Sequence, residues 1–342
     1  MEIRIATESD KNLWDEIIAN SRDSTIFHTW KWLLLMEKYS YKKFLTNSIR
    51  SHLYPMIISE HREVIGVIPL YSYKNYWGIW IQSPPLHVEC LYLGPIFNHL
   101  ETLKPRERYH KFLDFQIVLH KYLTENLRAN SIKIRSSTGF EDPRGFQWNE
   151  YTIEPRFTYF LNLTQGKESI WRNFRKTLRN SITRNEQLGI EVIEGSRDDL
   201  EPIFHLMKER NRIETPLGFL HEIFDTFYPH HVRIFIAKHH DRLLSGILIT
   251  IFKNKVSFWV GSPRTSFEGV SPNDFILWHI IQWSIDQGME IFEIMGADDL
   301  SLFPFKTKFN AELDFGYWAK WISPRFRRIN SFHDLIRLKE IT

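Results

Sequence analysis

Two stretches of the 342-residue chain carry residues placed to do chemistry. The first is Phe303-Pro-Phe-Lys306-Thr-Lys308-Phe, which follows the turn Gly296-Ala-Asp-Asp. On its residues alone this run reads as a short surface helix with its lysines exposed and its phenylalanines buried. Lys308 is two residues further on and points elsewhere. The second stretch runs from Lys167 to about Leu188 and reads as a helix. Trp171, Phe174, Leu178 and Ile182 fall three or four apart and form its apolar stripe. Arg172, Arg175, Lys176 and Arg179 share a neighbouring face, with Arg184 further along and only Glu168 and Glu186 as nearby acids. Guanidinium forks and ammoniums so grouped suit phosphate, and a phosphodiester chain offers several at once. A solvated helix face is the alternative reading.

Other chemistries lack their residues. There is no Gly-x-x-x-x-Gly-Lys-Ser/Thr, no Gly-x-Gly-x-x-Gly, no His-Glu-x-x-His and no Gly-x-Ser-x-Gly. ATP-driven ligation, dinucleotide chemistry and a serine-nucleophile mechanism therefore have no supporting motif. The pairs His230-His231 and His239-His240 do not have the spacing of metal ligands on a helix and read as surface residues. A single cysteine, Cys90, excludes a disulfide framework and a Cys-rich zinc site. Basic and acidic residues nearly cancel, 44 against 41, so any anion site must come from local clustering.

The elements that position these groups fall into two halves. Aromatic residues make up 15% of the chain, enough for two large cores. In the first half, Glu2 to Ala6 alternates as a strand, and helices follow from about Asp10 to Ala19 and Thr29 to Lys38. Strands are expected at Pro55–Glu60, Glu63–Tyr73 and near Cys90–Leu93, then a helix opened by Lys104-Pro105, then a strand from Ser131 to Ser136. The Gly/Pro/Asn-rich run from Thr138 to Pro155 marks a domain boundary, giving domains 1–150 and 151–342. The second half repeats the plan: helices from Asp198 to Arg212 and Leu217 to Phe227, strands at Val232–Lys238, Leu243–Phe252 and Val256–Gly261. Pro272 then opens a helix to Gln287, and Glu290 to Met295 is the next strand. His61-Arg-Glu-Val-Ile-Gly66 is echoed by His240-Asp-Arg-Leu-Leu-Ser-Gly246. No basic start precedes an apolar run and no apolar run is long enough to cross a bilayer, so a cytoplasmic protein without a membrane span is expected.

In the second half the order of blocks resembles the Fem-type aminoacyltransferases, a family of tandem GNAT-like acyltransferases. The matching residues are Arg156, Tyr159, Leu161, Leu163, Trp171, Phe174, Arg179, Ile182, Arg184 and Gly189, then Trp259-Val-Gly-Ser-Pro, Pro272-Asn-Asp-Phe, Phe292-Glu-Ile-Met-Gly and Phe305-Lys-Thr-Lys-Phe. The first half matches only through Phe27-x-Thr-x-x-Trp32 and the hairpin. The resemblance implies an α/β (α+β) fold of two GNAT-like domains, each a mixed, mostly antiparallel sheet flanked by helices. It implies an N-acyltransferase that moves an aminoacyl group from aminoacyl-tRNA to a primary amine of a peptide or amino sugar, with no cofactor.

Lys306 then matches the family lysine that contacts acceptor phosphate or the oxyanion, and Phe305 lines the substrate channel. Trp259 takes an acceptor-channel aromatic position, and Arg210 or Arg212 falls near the family's acceptor-phosphate arginine. Arg172, Arg175, Lys176, Arg179 and Arg184 would meet tRNA phosphates. Several positions depart from the family. Ser257 replaces a tyrosine, Asn185 an alanine, and Met36 stands where some members have a phosphate-binding lysine. An acyl-CoA or acyl-carrier donor is the alternative, although the Arg/Gln-x-x-Gly-x-Gly/Ala loop of CoA-using enzymes is absent and Gly261 to Gly269 is the nearest candidate. A non-catalytic RNA- or protein-binding tandem fold is the second alternative. With Lys306 exposed, Lys306→Ala is expected to slow turnover about a hundredfold with little loss of stability, while Lys308→Ala changes neither; assays and melting curves of the two variants check this.

Overall fold

The structure is a computed structural model; it describes all residues except 45–46, 209–213, 263–264 and 328–342. Two compact units emerge, Met1–Arg156 with Phe315–Thr342, and Phe157–Asp314. The expected boundary near residue 150 thus lies a few residues later. The described residues from Phe315 to Arg327, read from sequence as part of the second domain, belong to unit 1 instead.

Unit 1 runs β1 (Glu2–Ile5), α1 (Lys11–Asn20), α2 (Trp30–Tyr39), a ribbon of β2 (Tyr41–Phe44) and β3 (Asn47–Arg50), β4 (His52–Glu60), β5 (Glu63–Asn75), β6 (Gly78–Ser83), β7 (Ile96–Phe97), α3 (Pro105–Lys121), β8 (Ser131–Arg135) and α4 (Arg144–Trp148). β1, β4, β5 and β6 are antiparallel neighbours, and β6 pairs parallel with β8 across α3. β6 was missing from the sequence expectations, and Cys90–Leu93 is not a strand. Pro84 and Pro85 end the β6 ladder, and the later stretch makes a backbone bond from Leu93 N to Arg135 O instead. Cys90 lies buried there, and burial pushes its thiol pKa well up, away from nucleophilic use.

Unit 2 runs β9 (Thr152–Asn162), α5 (Gly166–Asn173), α6 (Lys176–Gln187), β10 (Glu191–Glu194), α7 (Leu200–Lys208), α8 (Leu217–Phe227), β11 (Val232–His239), β12 (Arg242–Phe252), β13 (Lys255–Gly261), α9 (Pro272–Asp286), β14 (Ile291–Ile294) and α10 (Phe303–Lys306). Its order is the same as in unit 1: β10 to β13 are antiparallel neighbours, and β13 pairs parallel with β14 across α9. The echoed hairpins occupy equal places. Gly66 pairs with Ile58 beside a register shift in one, and Gly246 pairs with Ile236 one pair away from a register shift in the other. Helices flank a mixed, mostly antiparallel sheet in both units, as expected. Aliphatic and aromatic side chains from both layers fill the cores, with Phe115, Ile132 and Ile68 in unit 1 and Phe292, Ile247 and Ile280 in unit 2 fully buried.

β15 (Glu312–Ile322) closes unit 1 by pairing antiparallel with β8, Trp318 opposite Arg135 and Ile322 opposite Ser131. Gly316 makes this return possible. A Cβ there would stand 2.6 Å from Ser136 O and 2.8 Å from Ser137 O, both main-chain atoms. Backbone cannot yield as a side chain can, so Gly316→Ala is expected to cost about 1–3 kcal/mol. Chemical denaturation of the variant checks this, read as a lower midpoint at unchanged slope.

Candidate functional site

The expected long helix after Lys167 is two helices. Phe174 and Arg175 adopt extended backbone between α5 and α6. The break turns the Phe174 ring into a cluster, 5.3 Å from Trp278 and 5.4 Å from Phe309, and Trp171 lies 5.2 Å from Trp278. It also frees Arg175 N to donate to Lys308 O at 3.0 Å. The N-terminus of α6 is thereby fixed to the segment that carries Lys306.

This geometry sorts the five basic residues. Arg179 Nη1 donates to the carbonyls of Arg172 (2.7 Å) and Trp171 (3.4 Å), so its guanidinium caps the C-terminus of α5. That engagement commits Nη1 to the helix end. Arg172, 78% exposed, pairs loosely with Glu168 at 3.2 Å. Arg175, Lys176 and Arg184 are exposed. Arg175 holds the N-cap position of α6, Lys176 opens the helix, and the first turn carries no acid. Helix dipole and side chains therefore add to one positive end.

Lys306 is placed differently from expectation. It is only 4% exposed, and its Nζ donates to the carbonyls of Met295 and Gly296, just past the end of β14. Its apolar stem and the ring of Phe305 lie in the core, where Phe305 meets Phe309 edge-on at 5.8 Å. Gly296 adopts φ +75°, and a Cβ there would sit 3.4 Å from Nζ. Burial pulls the ammonium down to about 8, opposed by the negative charges of Asp299, Asp298 and Glu293. Lys308 does point elsewhere, but not into solvent. Its Nζ pairs at 3.0 Å with Asp274, itself buried at the start of α9. It is therefore a structural cation and not an inert control.

Glu293 is fully buried on β14. Oε1 accepts from Thr158 Oγ1 at 2.9 Å; Oε2 accepts from Ser257 Oγ and lies 3.1 Å from Lys255 Nζ. The serine that replaces an expected tyrosine thus has a task, as a donor to this carboxylate. Asp298 Oδ1 accepts from Phe157 N at 2.9 Å. Both carboxylates are held as parts of the scaffold.

β13 and β14 stay paired only as far as Phe258 opposite Ile294, while β13 runs on to Gly261. The two strands part there. Trp259 is the extra residue of a bulge, because Leu248 faces Val260 and Ile249 faces Phe258. Its ring is buried, 6.4 Å from Phe219 of α8. Beyond that point Trp259 to Gly261 have no partner on β14, and the Lys306 ammonium sits on the two carbonyls that directly follow β14. Sequence reading named Lys306, Phe305 and Trp259 but not the strand parting, which is a pairing event and leaves no residue signature. Arg210 and Arg212 lie outside the described residues.

The start of α9, the helix start that follows the nearest glycine-containing loop, would suit a pyrophosphate poorly. Pro272 offers no N–H, Asp274 N is bonded to Ser271 O, and the Asp274 carboxylate already occupies the positive helix end. Asn273 is tied to Ser245 and Ser262. Pro263 and Arg264 of the nearest glycine-containing loop are outside the described residues. Among the described residues, no group of three His, Cys, Asp or Glu could hold a metal ion.

Two units of this topology in one chain make a tandem GNAT-like fold. The sequence profile of the acetyltransferase (GNAT) domain matches residues 172–307. Among solved structures, FemX superposes with a TM-score of 0.65 at 14% identity, covering 95% of this chain and 98% of that one. The C-terminal domain of an Agrobacterium fabrum protein, described as a lysylphosphatidylglycerol synthetase, gives 0.55 at 12% identity and 91% of each chain. A tandem GNAT protein from the clavulanic acid biosynthesis pathway gives 0.50 at 9% identity, covering 93% of this chain and 97% of that one. No curated protein matches by sequence.

The Lys306 site has a pH signature. A lysine whose folded pKa lies below its unfolded value near 10.4 disfavours folding while it is charged in both states. That cost is fully present below about pH 8 and is relieved as pH rises from 8 toward 10. Relative to Lys306→Met, the wild-type protein is therefore expected to gain about 3 kcal/mol of stability over that window. Urea midpoints of both proteins at pH 7, 8, 9 and 10 are the measurement, and parallel curves would refute the assignment.

Proposed function

We propose that this protein is an N-acyltransferase that takes an aminoacyl group from tRNA and passes it to a primary amine on a peptide or amino-sugar acceptor. One observation carries the reading. The exposed positive end of α6, with Arg175 and Lys176, is hydrogen-bonded through Arg175 N to Lys308 O, two residues from Lys306. A surface suited to a phosphodiester chain is thus continuous with the segment that places a buried cation beside the parted strands. An aminoacyl ester needs no further activation. Positioning of the amine at the ester carbonyl and charge stabilisation of the tetrahedral oxyanion account for catalysis. The likeness of the whole chain to FemX supports this reading over its alternative.

The alternative is an acyl-CoA or acyl-carrier donor, with the α6 end taking a phosphopantetheine phosphate. The occupied start of α9 disfavours it in unit 2, because Pro272 offers no N–H and Asp274 N is already bonded to Ser271 O.

Purified protein incubated with a charged tRNA pool and amine acceptors should release uncharged tRNA and acylated amine, whereas acetyl-CoA should not be consumed. Consumption of a CoA thioester with no use of charged tRNA would select the alternative. Replacing Arg172, Arg175 and Lys176 by Ala leaves the Arg179 cap intact. It is expected to lower the log–log salt slope of tRNA binding by about three, roughly one per lost phosphate contact. An unchanged slope would make the patch a solvated face. Lys306→Met should reduce turnover about a hundredfold, and a full-rate variant would remove this charge from the mechanism.

A further inference from the structure

The turn between β5 and β6 in unit 1 projects two large rings into solvent. Tyr76 is 96% exposed and Trp77 63%. They are held there and not left loose: Asn75 Oδ1 accepts from Trp77 N at 2.8 Å and from Gly78 N at 3.2 Å, closing the turn beneath them. Gly78 seats the tip on its support, since a Cβ at that position would lie 2.8 Å from the Phe326 ring. Phe326 in turn packs edge-on against Trp80 at 6.0 Å. An aromatic projection is thus built on an aromatic base.

Cations surround that base. Lys42 Nζ lies over the Trp80 ring, 5.2 Å from its centroid, with the like charge of Lys133 acting on it. Lys74 is exposed one residue before the turn, and Arg325 is exposed beside Phe326. Arg327 pairs with Glu150 at 3.8 Å, and Glu154 pairs with Lys320 and Arg156, so those acids are already matched.

We propose that this hairpin tip is a docking site for an anionic phospholipid surface. Tyr and Trp combine an apolar body with a polar edge and settle at the headgroup boundary of a bilayer. Lysine and arginine behind them meet lipid phosphate, each adding attraction that falls off within a Debye length. RNA fits this surface less well. Bases stack on rings presented as a platform, whereas Tyr76 and Trp77 stand at 87° to each other with centroids 5.9 Å apart, on a convex turn. Perpendicular rings wedge between headgroups but cannot both stack on successive bases.

The test is sedimentation of the full chain with vesicles of phosphatidylcholine alone and of phosphatidylcholine mixed equally with phosphatidylglycerol, alongside tRNA binding. Wild-type protein is expected to partition onto the phosphatidylglycerol vesicles, and this binding should weaken in high salt. Tyr76→Ser with Trp77→Ser should lower the partition coefficient about tenfold, as loss of partial burial of two rings implies. Lys74→Glu with Arg325→Glu should abolish the preference for phosphatidylglycerol. All four side chains reach into solvent, so melting temperatures should hold, and the charge pair gives an independent arm should the ring pair fold poorly. Equal partitioning of wild type and the ring variant would overturn the proposal, as would wild-type binding that ignores lipid charge. Loss of tRNA binding in the ring variant, with vesicle binding intact, would overturn it in favour of a nucleic-acid surface.

Discussion

A buried ammonium must be given acceptors or it will not stay buried, and much of unit 2 around its parted strands follows from how Lys306 meets that demand. The acceptors are two carbonyls just beyond β14, which are available because the chain leaves the sheet there. To present both, the backbone turns through the left-handed region at Gly296, which favours glycine. The lysine reaches them from the end of a short helix that Phe305 anchors in the core, with Phe309 buried in the turn that follows. Glu293, Asp298 and Asp299 supply the counter-charge.

The same anchoring joins the positive end of α6 to this region. Phe309 packs on Phe174, Phe174 can reach it only because the helix breaks, and the break exposes the α6 terminus that Arg175 fixes to Lys308. An aromatic contact, a helix break and a cationic surface are consequences of one packing solution. Trp171 and Trp278 complete the cluster and hold α5 against α9.

What could be read from the sequence was whatever local patterns encode. Alternation and turn residues marked β4, β5, β11 and β12, and Pro272 marked the start of α9. The apolar stripe through Trp171, Phe174, Leu178 and Ile182 was also correct as a list of core residues. It misled about continuity, because neither glycine nor proline marks the break; a ring entering the core does. Lys306 was legible as a chemical group but not as a buried one, since burial depends on carbonyls ten and eleven residues away. The apparent Cys90 strand failed for a different reason. The apolar residues were real, but two prolines upstream had ended the β6 ladder. The parting of β13 from β14 was beyond sequence reading altogether, because pairing is a property of two strands together.

The return of β15 to β8 gives the chain an order of assembly. Unit 2 is contiguous and can fold as soon as it clears the ribosome, whereas unit 1 lacks its closing strand until Ile322 has been made. At cellular elongation rates, synthesis from Phe157 to Ile322 takes on the order of ten to thirty seconds. For that interval the β8 edge, with its alternating Ile132 and Ile134, has no covering strand from its own chain. Through that interval the first unit holds its β8 edge open while the second unit is still being made.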